Sequence, residues 1–269
     1  MTEAMNPLPT ALRNNVVVKG TGERVIVFAH GFGCDQNMWR HVARRFEDDF
    51  RTLVFDNVGA GQSDLSAYDS GKYSSLQGYA DDLVEILREH DARKVVFVGH
   101  SVSSMIGLLA SLEAPELFGC LVLVGPSPRY IDDHDYVGGF SAGQIEELLG
   151  FLGDNPMAWS QAMAPQIMGN ADRPELGDEL TASFCRTDPK IAEEFARVTF
   201  TSDNRADLDR STIRTLILQC TDDIIAPLAV GDFVHAQMKN SELIVLAATG
   251  HCPNLSAPEE VVSAIRAFV

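Results

Sequence analysis

The chain has 269 residues, enough for one large α/β domain whose core needs neither disulfides nor a structural metal. Lys and Arg number 21 against 38 Asp and Glu, and the formal net charge of −17 repels nucleic acid and anionic membranes. Cys34, Cys120, Cys185, Cys220 and Cys252 fall in no metal-binding or disulfide spacing, and no apolar run reaches the roughly 20 residues of a membrane span, so no metal and no membrane association are expected.

The opening segment, MTEAMNPLPTALRNN, lacks the apolar stretch of a secretion signal, which points to the cytoplasm. A short strand is predicted over Val16–Val18, before Gly20, as an antiparallel edge. Apolar, β-branched runs bounded by turn residues follow at Val25–Phe28, Leu53–Phe55, Val95–Val98 and Leu121–Val124. Their continuous apolar character suits strands buried on both faces of a parallel sheet. Helical patterns lie between them. Tyr79–His90 puts Leu83, Ile86 and Leu87 on one face, and Ser103–Leu112 is apolar nearly all round, as a buried helix is. From about Tyr130 to Arg205 the alternation breaks, and helical patterns at Ser141–Phe151, Pro156–Ala164 and Pro189–Phe200 have no strand among them. Strands resume at Leu216–Leu218 and Leu243–Leu246. The expectation is one α/β domain, with a core at about 1–129 and 206–269 and a helical cap at about 130–205 inserted over the C-terminal edge of the sheet.

Four segments carry chemistry. In VVFVGHSVSSMIGLL (Val95–Leu109) a strand turns directly into a helix at Gly99-His100-Ser101-Val102-Ser103. This is the setting of a nucleophile elbow, which lifts the serine hydroxyl clear of the sheet and needs small residues two places to either side. The usual pattern has glycine at both; here Ser103 takes the second place. Read alone, Ser101 is equally a helix N-cap. In Ala29–Gly33 a glycine-flanked turn exposes the Phe32 N–H, which with the Val102 N–H makes a candidate oxyanion hole. Alone, that turn is weak evidence. A third strand end delivers Asp222 and Asp223, one of them a candidate acid and the other a solvated loop residue. The fourth delivers His251 in Thr249-Gly250-His251-Cys252-Pro253. The order Ser, Asp, His at successive strand ends is the triad order of α/β-hydrolases.

These segments resemble the α/β-hydrolase superfamily, and within it the group containing the bacterial stress regulator RsbQ and the plant karrikin and strigolactone receptors. The resemblance spans nearly the whole chain. It is carried by HGFGCDQNMW (His30–Trp39), VGAGQSD (Val58–Asp64), GHSVSSMIG (Gly99–Gly107), GPSPRYIDD (Gly125–Asp133), ILQCTDDIIAP (Ile217–Pro227) and GHCP (Gly250–Pro253). It is closest to RsbQ in the CDQ, DDIIAP and GHCP stretches, whereas Ser103 matches the plant receptors. It implies an α/β-hydrolase fold with a four-helix cap, a Ser101–Asp223–His251 triad and an oxyanion hole from Phe32 and Val102. Asp223 rather than Asp222 is chosen because the family acid precedes the apolar pair, here Ile224-Ile225, that leads to the proline. Phe32, His100, Phe140, Trp159 and Phe200 become candidate walls of the substrate pocket, although ordinary helix packing explains such aromatics as readily.

The expected function is cofactor-free hydrolysis of a small, largely apolar ester or lactone in an RsbQ-like signalling role with a sensor-domain phosphatase as partner. The alternative is a metabolic carboxylesterase or a cofactor-free perhydrolase.

Overall fold

The computed structural model describes residues 8–269. Part of the opening segment read for a secretion signal therefore lies outside the described residues. Seven strands form the sheet: β1 (Val17–Lys19), β2 (Arg24–Ala29), β3 (Phe50–Phe55), β4 (Val95–His100), β5 (Phe118–Val124), β6 (Thr215–Asp222) and β7 (Ser241–Thr249), in the spatial order β1-β3-β2-β4-β5-β6-β7. The β1 strand pairs antiparallel with β3, as expected of an edge, and every other pairing is parallel.

Period-2 alternation decides which side chains face which layer. In β4, Val95 and Phe97 enter one core cluster and Val96 and Val98 the other. In β5, Leu121 and Leu123 face the first cluster and Val122 and Val124 the second. Short helices α1 (Thr10–Arg13) and α2 (Arg40–Ala43) precede α3 (Leu76–Glu89) and α4 (Val102–Glu113). Leu83, Ile86 and Leu87 of α3 are fully buried on the first face, and each contributes roughly 1.5–3 kcal/mol by leaving water. The buried character of α4 is satisfied by sheet and helices together; Gly107 lies so close to the Phe97 ring that a Cβ would clash.

Between β5 and β6 the chain forms α5 (Ala142–Asp154), α6 (Pro156–Met168), α7 (Pro174–Phe184) and α8 (Pro189–Thr201). Local chemistry fixes three of their starts: a Ser141–Gln144 capping box, an Asn155 cap and an Asp188 cap followed by Pro189. The sequence patterns do not single out α7. Gly177 interrupts it, and that glycine sits where its missing Cβ lets Pro165 of α6 approach. A third apolar cluster joins these helices (Ile145, Leu149, Trp159, Leu180, Phe200) to Tyr130, Ile225 and Leu255 outside them. Helices α9 (Leu228–Gln237), α10 (Pro253–Ser256) and α11 (Pro258–Phe268) complete the chain, with α9 on the first face of the sheet and α11 on the second. Among the described residues no helix is long and apolar enough to cross a membrane.

Candidate active site

Ser101 sits between β4 and α4 with φ 55° and ψ −124°, a region that non-glycine residues seldom occupy. The surroundings hold it there. Its N–H donates to the Val124 carbonyl at 2.8 Å, and a Cβ on Gly99 would meet the Ser103 backbone, so the turn is as tight as the sequence suggests. Ser103 fits the crowded second position because its hydroxyl donates to the His30 carbonyl at 2.5 Å, linking α4 to the loop that carries Phe32. The Asn57 N–H donates to His30 Nε2 at 3.0 Å, so Nδ1 carries the proton and donates to the Gly31 carbonyl at 2.8 Å.

Two loops bring the partners. His251 Nε2 lies 2.8 Å from Ser101 Oγ, and His251 Nδ1 lies 2.7 Å from Asp223 Oδ2. The other Asp223 oxygen accepts the Ile225 and Ala226 N–H groups at 2.8 and 3.1 Å. Burial alone would push the Asp223 carboxyl up. The facing imidazole and these two N–H groups outweigh it and hold the carboxyl below the usual carboxylate range. Asp222 is exposed and offers only its backbone, whose carbonyl accepts the Gly250 N–H at 2.6 Å. The His251 loop is also tied to the inserted helices. Its N–H donates to the Ile167 carbonyl of α6 at 2.8 Å, and Asn170 Nδ2 donates to the Thr249 carbonyl at 3.1 Å.

Gly250 makes this junction possible. Its φ is +79°, and a Cβ there would run into the Met168 carbonyl oxygen. Gly250→Ala is expected to displace His251 and lower kcat/KM for an ester by about 100-fold, since misplacing a reacting group by about 1 Å costs that much. Steady-state assay of the folded variant checks this; an unchanged rate would show that the loop tolerates the collision.

The backbone N–H groups of Phe32 and Val102 donate to no protein group among the described residues, which leaves both free for an anion beside Ser101. Phe32, His100, Trp159 and Phe200 line a cavity of about 30 Å³ in front of Ser101 and His251. Phe140 does not. The strand-like pairing of its backbone with the Tyr130–Asp132 stretch holds it at the side of the third cluster, away from the cavity wall. Sequence reasoning misses Tyr130, Ile167, Leu180, Phe184, Thr199 and Ile225, which the cavity gathers from five separate segments. His100 serves the site through its backbone position and one bond: Nε2–H donates to the His251 carbonyl at 2.7 Å. Burial and the neighbouring His251 ring push His100 down to about 3, so it stays neutral. Cys34 and Cys252 also reach the cavity wall, but burial pushes both thiols up, away from a reactive thiolate. No cluster of metal-ligating side chains occurs among the described residues.

A second cavity, of about 300 Å³, adjoins the first, and Phe32, Trp159 and Phe184 line both. Phe32 meets Trp159 edge-on at 6.2 Å between ring centres, and Trp159 meets Phe184 at 5.3 Å. These three rings form the partition between the inner and outer space.

A doubly wound sheet with a strained serine at a strand–helix turn and an imidazole–carboxylate pair behind it defines a class, the α/β-hydrolases. Residues 26–264 match the alpha/beta hydrolase family, and the chain belongs to it. It is 36% identical over 250 residues to a karrikin insensitive 2 receptor of Petunia hybrida, covering 93% of both chains. It is 36% identical over 253 residues to the strigolactone esterase of Arabidopsis thaliana, covering 94% of both. Among solved structures, a hydrolase from Oleispira antarctica is similar with a TM-score of 0.94 and 40% identity, over 96% of this chain and 95% of that one.

Proposed function

We propose that this protein hydrolyses a small, largely apolar ester or lactone through an acyl-enzyme on Ser101. The observation that carries the reading is the unbroken row Ser101 Oγ, His251, Asp223, with distances of 2.8 and 2.7 Å, facing a small aromatic-walled cavity. Ser101 attacks the carbonyl carbon while His251 Nε2 takes its proton. The N–H groups of Phe32 and Val102 hold the oxyanion. His251 returns the proton to the leaving alkoxide, then activates the water that frees the acyl group. Asp223 keeps the imidazole in the tautomer that leaves Nε2 able to accept. No cofactor enters these steps.

In this reading residues 130–205 act as a cap over a core made of 1–129 and 206–269. The inner cavity holds about two waters, so a substrate is accommodated only when its walls, including Phe32, Trp159 and Phe184, shift to make room. A site this small, walled by aromatic rings, favours one selected ligand over general esters. That supports an RsbQ-like signalling role with a sensor-domain phosphatase as partner, in keeping with the likeness to receptors. The cap also exposes large apolar side chains, Val137 at 51% and Phe151 at 41%. The complete hydrogen-bonded row equally suits a metabolic carboxylesterase or a perhydrolase, which use the same groups.

The test pairs a stress-reporter strain with a purified-enzyme ester assay. Val137→Ser and Phe151→Ser are expected to abolish the cellular response and to leave ester hydrolysis within about twofold, as surface substitutions do. If neither variant separates the two activities, the partner-binding cap is wrong. If deleting the gene spares stress signalling and blocks growth on an ester, the metabolic reading replaces it.

A further inference from the structure

We propose that the cleft on the outer side of α8 is a second ligand site, for a small monocarboxylate with an apolar body, and that its occupant restrains access to Ser101 by fixing the placement of α8. The binding claim stands apart from the hydrolase reading; only the effect on Ser101 rests on it.

The cleft has a volume of about 700 Å³, inside the roughly 300–1,000 Å³ of small-molecule sites. It lies where α8 meets the core segment 70–77 and Leu109 of α4. Helical periodicity separates it from the cavity at Ser101. Glu194, Arg197, Val198 and Thr201 line the cleft, whereas Thr199 and Phe200, on the opposite face of the same helix, line the inner cavity. The two spaces share α8 as a wall and have no lining residue in common.

The chemistry of the wall selects the ligand. Tyr73, Leu76, Leu109 and Val198 supply apolar surface for a hydrocarbon body, and Ser75, Gln77, Thr201 and Asn204 supply hydroxyls and amides. The charges decide the head group. Glu194 accepts the Tyr68 and Ser70 hydroxyls at 3.0 and 2.8 Å and has Lys190 at 3.8 Å. Asp203 lies 2.7 Å from Arg129 and 2.7 Å from Arg205. Both acids of the cleft are therefore already answered. The Arg197 guanidinium is not: among the described residues it makes neither an ion pair nor a hydrogen bond, and only its backbone carbonyl is used, by Thr201. Unpaired cations occur elsewhere on the surface, as at Arg44; what sets Arg197 apart is the apolar cleft beside it. Arg186, the cation on the wall of a smaller cavity beside Cys34, is paired with Asp35 at 3.1 Å. A guanidinium fork binds a carboxylate through two parallel N–H bonds. A phosphate dianion fits less well, because it would meet one free cation and two carboxylates.

Two contacts tie the cleft to the serine. A row of rings runs between them: Tyr73 of the cleft wall meets Tyr79 at 4.7 Å between centres, Tyr79 meets Phe195 of α8 at 4.6 Å, and Phe195 meets Phe32 at 5.8 Å. Phe32 is a wall of the inner cavity. Glu194, by its bonds to Ser70 and Tyr68, already latches α8 to the core beside the cleft. A ligand held by Arg197 and packed on Tyr73 and Leu76 would add to that latch, because it touches both α8 and the core. It therefore binds the closed placement of α8 better than an open one, which is the difference in affinity that coupling requires. With Thr199 and Phe200 held in place, the inner cavity of about 30 Å³ stays small.

The test uses 3-phenylpropionate as the probe and its neutral amide as the control, with the purified full-length chain. Calorimetric titration is expected to show the acid binding at least about tenfold more tightly than the amide, as one charge-assisted hydrogen bond allows. Arg197→Gln is expected to erase that ratio. Ser75→Asp keeps a capping residue at the start of α3 and adds a like charge to the cleft. It is expected to weaken the acid about tenfold without lowering the melting temperature. The second readout is the rate at which a fluorophosphonate labels Ser101. Saturating acid is expected to slow it at least about fivefold in wild type and to leave it unchanged in Arg197→Gln. No binding of the acid, or binding that Arg197→Gln leaves intact, overturns the site. Binding that Arg197→Gln abolishes, with a labelling rate the acid does not alter, overturns the effect on Ser101. Absence of labelling with no acid present counts against the hydrolase reading, and the titration still decides the cleft.

Discussion

Ser101→Ala is expected to reduce ester hydrolysis by about 10⁶-fold, the loss seen when a triad serine is removed elsewhere. The reason lies in the row of hydrogen bonds. Without Oγ there is no covalent intermediate, and His251 Nε2 loses the group 2.8 Å away that it serves. Hydrolysis should not fall to the rate in water. The Phe32 and Val102 N–H groups remain to stabilise an oxyanion formed by direct water attack, a contribution of about 10³–10⁴. Stability should change little, because the backbone strain at φ 55° is held by the Val124 carbonyl and by packing that alanine leaves intact. A fluorophosphonate should label wild type at Ser101 alone and leave Ser101→Ala unlabelled, as read by intact mass and peptide mapping. Labelling at another residue, or hydrolysis within tenfold of wild type in the variant, would remove Ser101 from the mechanism.

The parts of this architecture that local rules govern are legible in the sequence. Runs such as Val95–Val98 are apolar at every position because both faces of the sheet are covered, and the two core clusters divide their residues by parity. The candidate triad residues are legible for a related reason. Each stands just past a strand, where the chain must turn within one or two residues, and only a few residue types fit such turns. Gly99 and Gly250 sit where any Cβ meets backbone, and the Ser103 hydroxyl bonds the His30 carbonyl. The choice between Asp222 and Asp223 is less legible. The β6 strand runs to Asp222, four residues past the end of its apolar run at Leu218, and Ile225 and Ala226 must fold back to reach the carboxylate. The cavity is legible only in part: Phe32, His100, Trp159 and Phe200 line it, but the rest of its wall leaves no sign in the sequence. Tyr130, Thr199 and Phe184 meet in it from a loop and two helices, and their sequence spacing carries no sign of that meeting. Phe140 shows the converse. As a bulky aromatic just before a cap helix it reads as a pocket wall, yet backbone pairing with the preceding loop turns it aside.

On the signalling reading, the same junctions would link the site to the inserted helices. The inserted helices do not merely cover Ser101. The end of α6 accepts the His251 N–H, and Asn170 just beyond it bonds the Thr249 carbonyl. A ligand that favours one placement of α6 over another would therefore move the His251 loop and the exposed cap surface together. Such coupling needs a ligand with different affinity for the two placements, whatever its absolute affinity. The aromatic partition is where that difference would arise.

Asp223→Asn is expected to lower kcat by about 10⁴-fold, the loss seen when the triad aspartate of a serine protease becomes asparagine, whereas Asp222→Asn should stay within about twofold, as exposed substitutions do. The contrast follows from hydrogen-bond inventory. Asp223 Oδ1 accepts the Ile225 and Ala226 N–H groups, so an asparagine would keep its carbonyl oxygen there and turn its NH₂ toward His251. That NH₂ can only donate. His251 Nδ1 would become the acceptor and the ring proton would move to Nε2, which could then no longer take the proton of Ser101. Geometry would survive and function would not. Asp222 lacks this leverage, since its carboxylate is exposed and its link to the site is a backbone carbonyl bonded to Gly250, which asparagine retains. Parallel kcat measurements on the two variants, with fluorophosphonate labelling rates as a second readout, decide the matter. A large loss in Asp222→Asn with near-normal turnover in Asp223→Asn would reverse the assignment, and equal small losses would mean that His251 works without an oriented carboxylate.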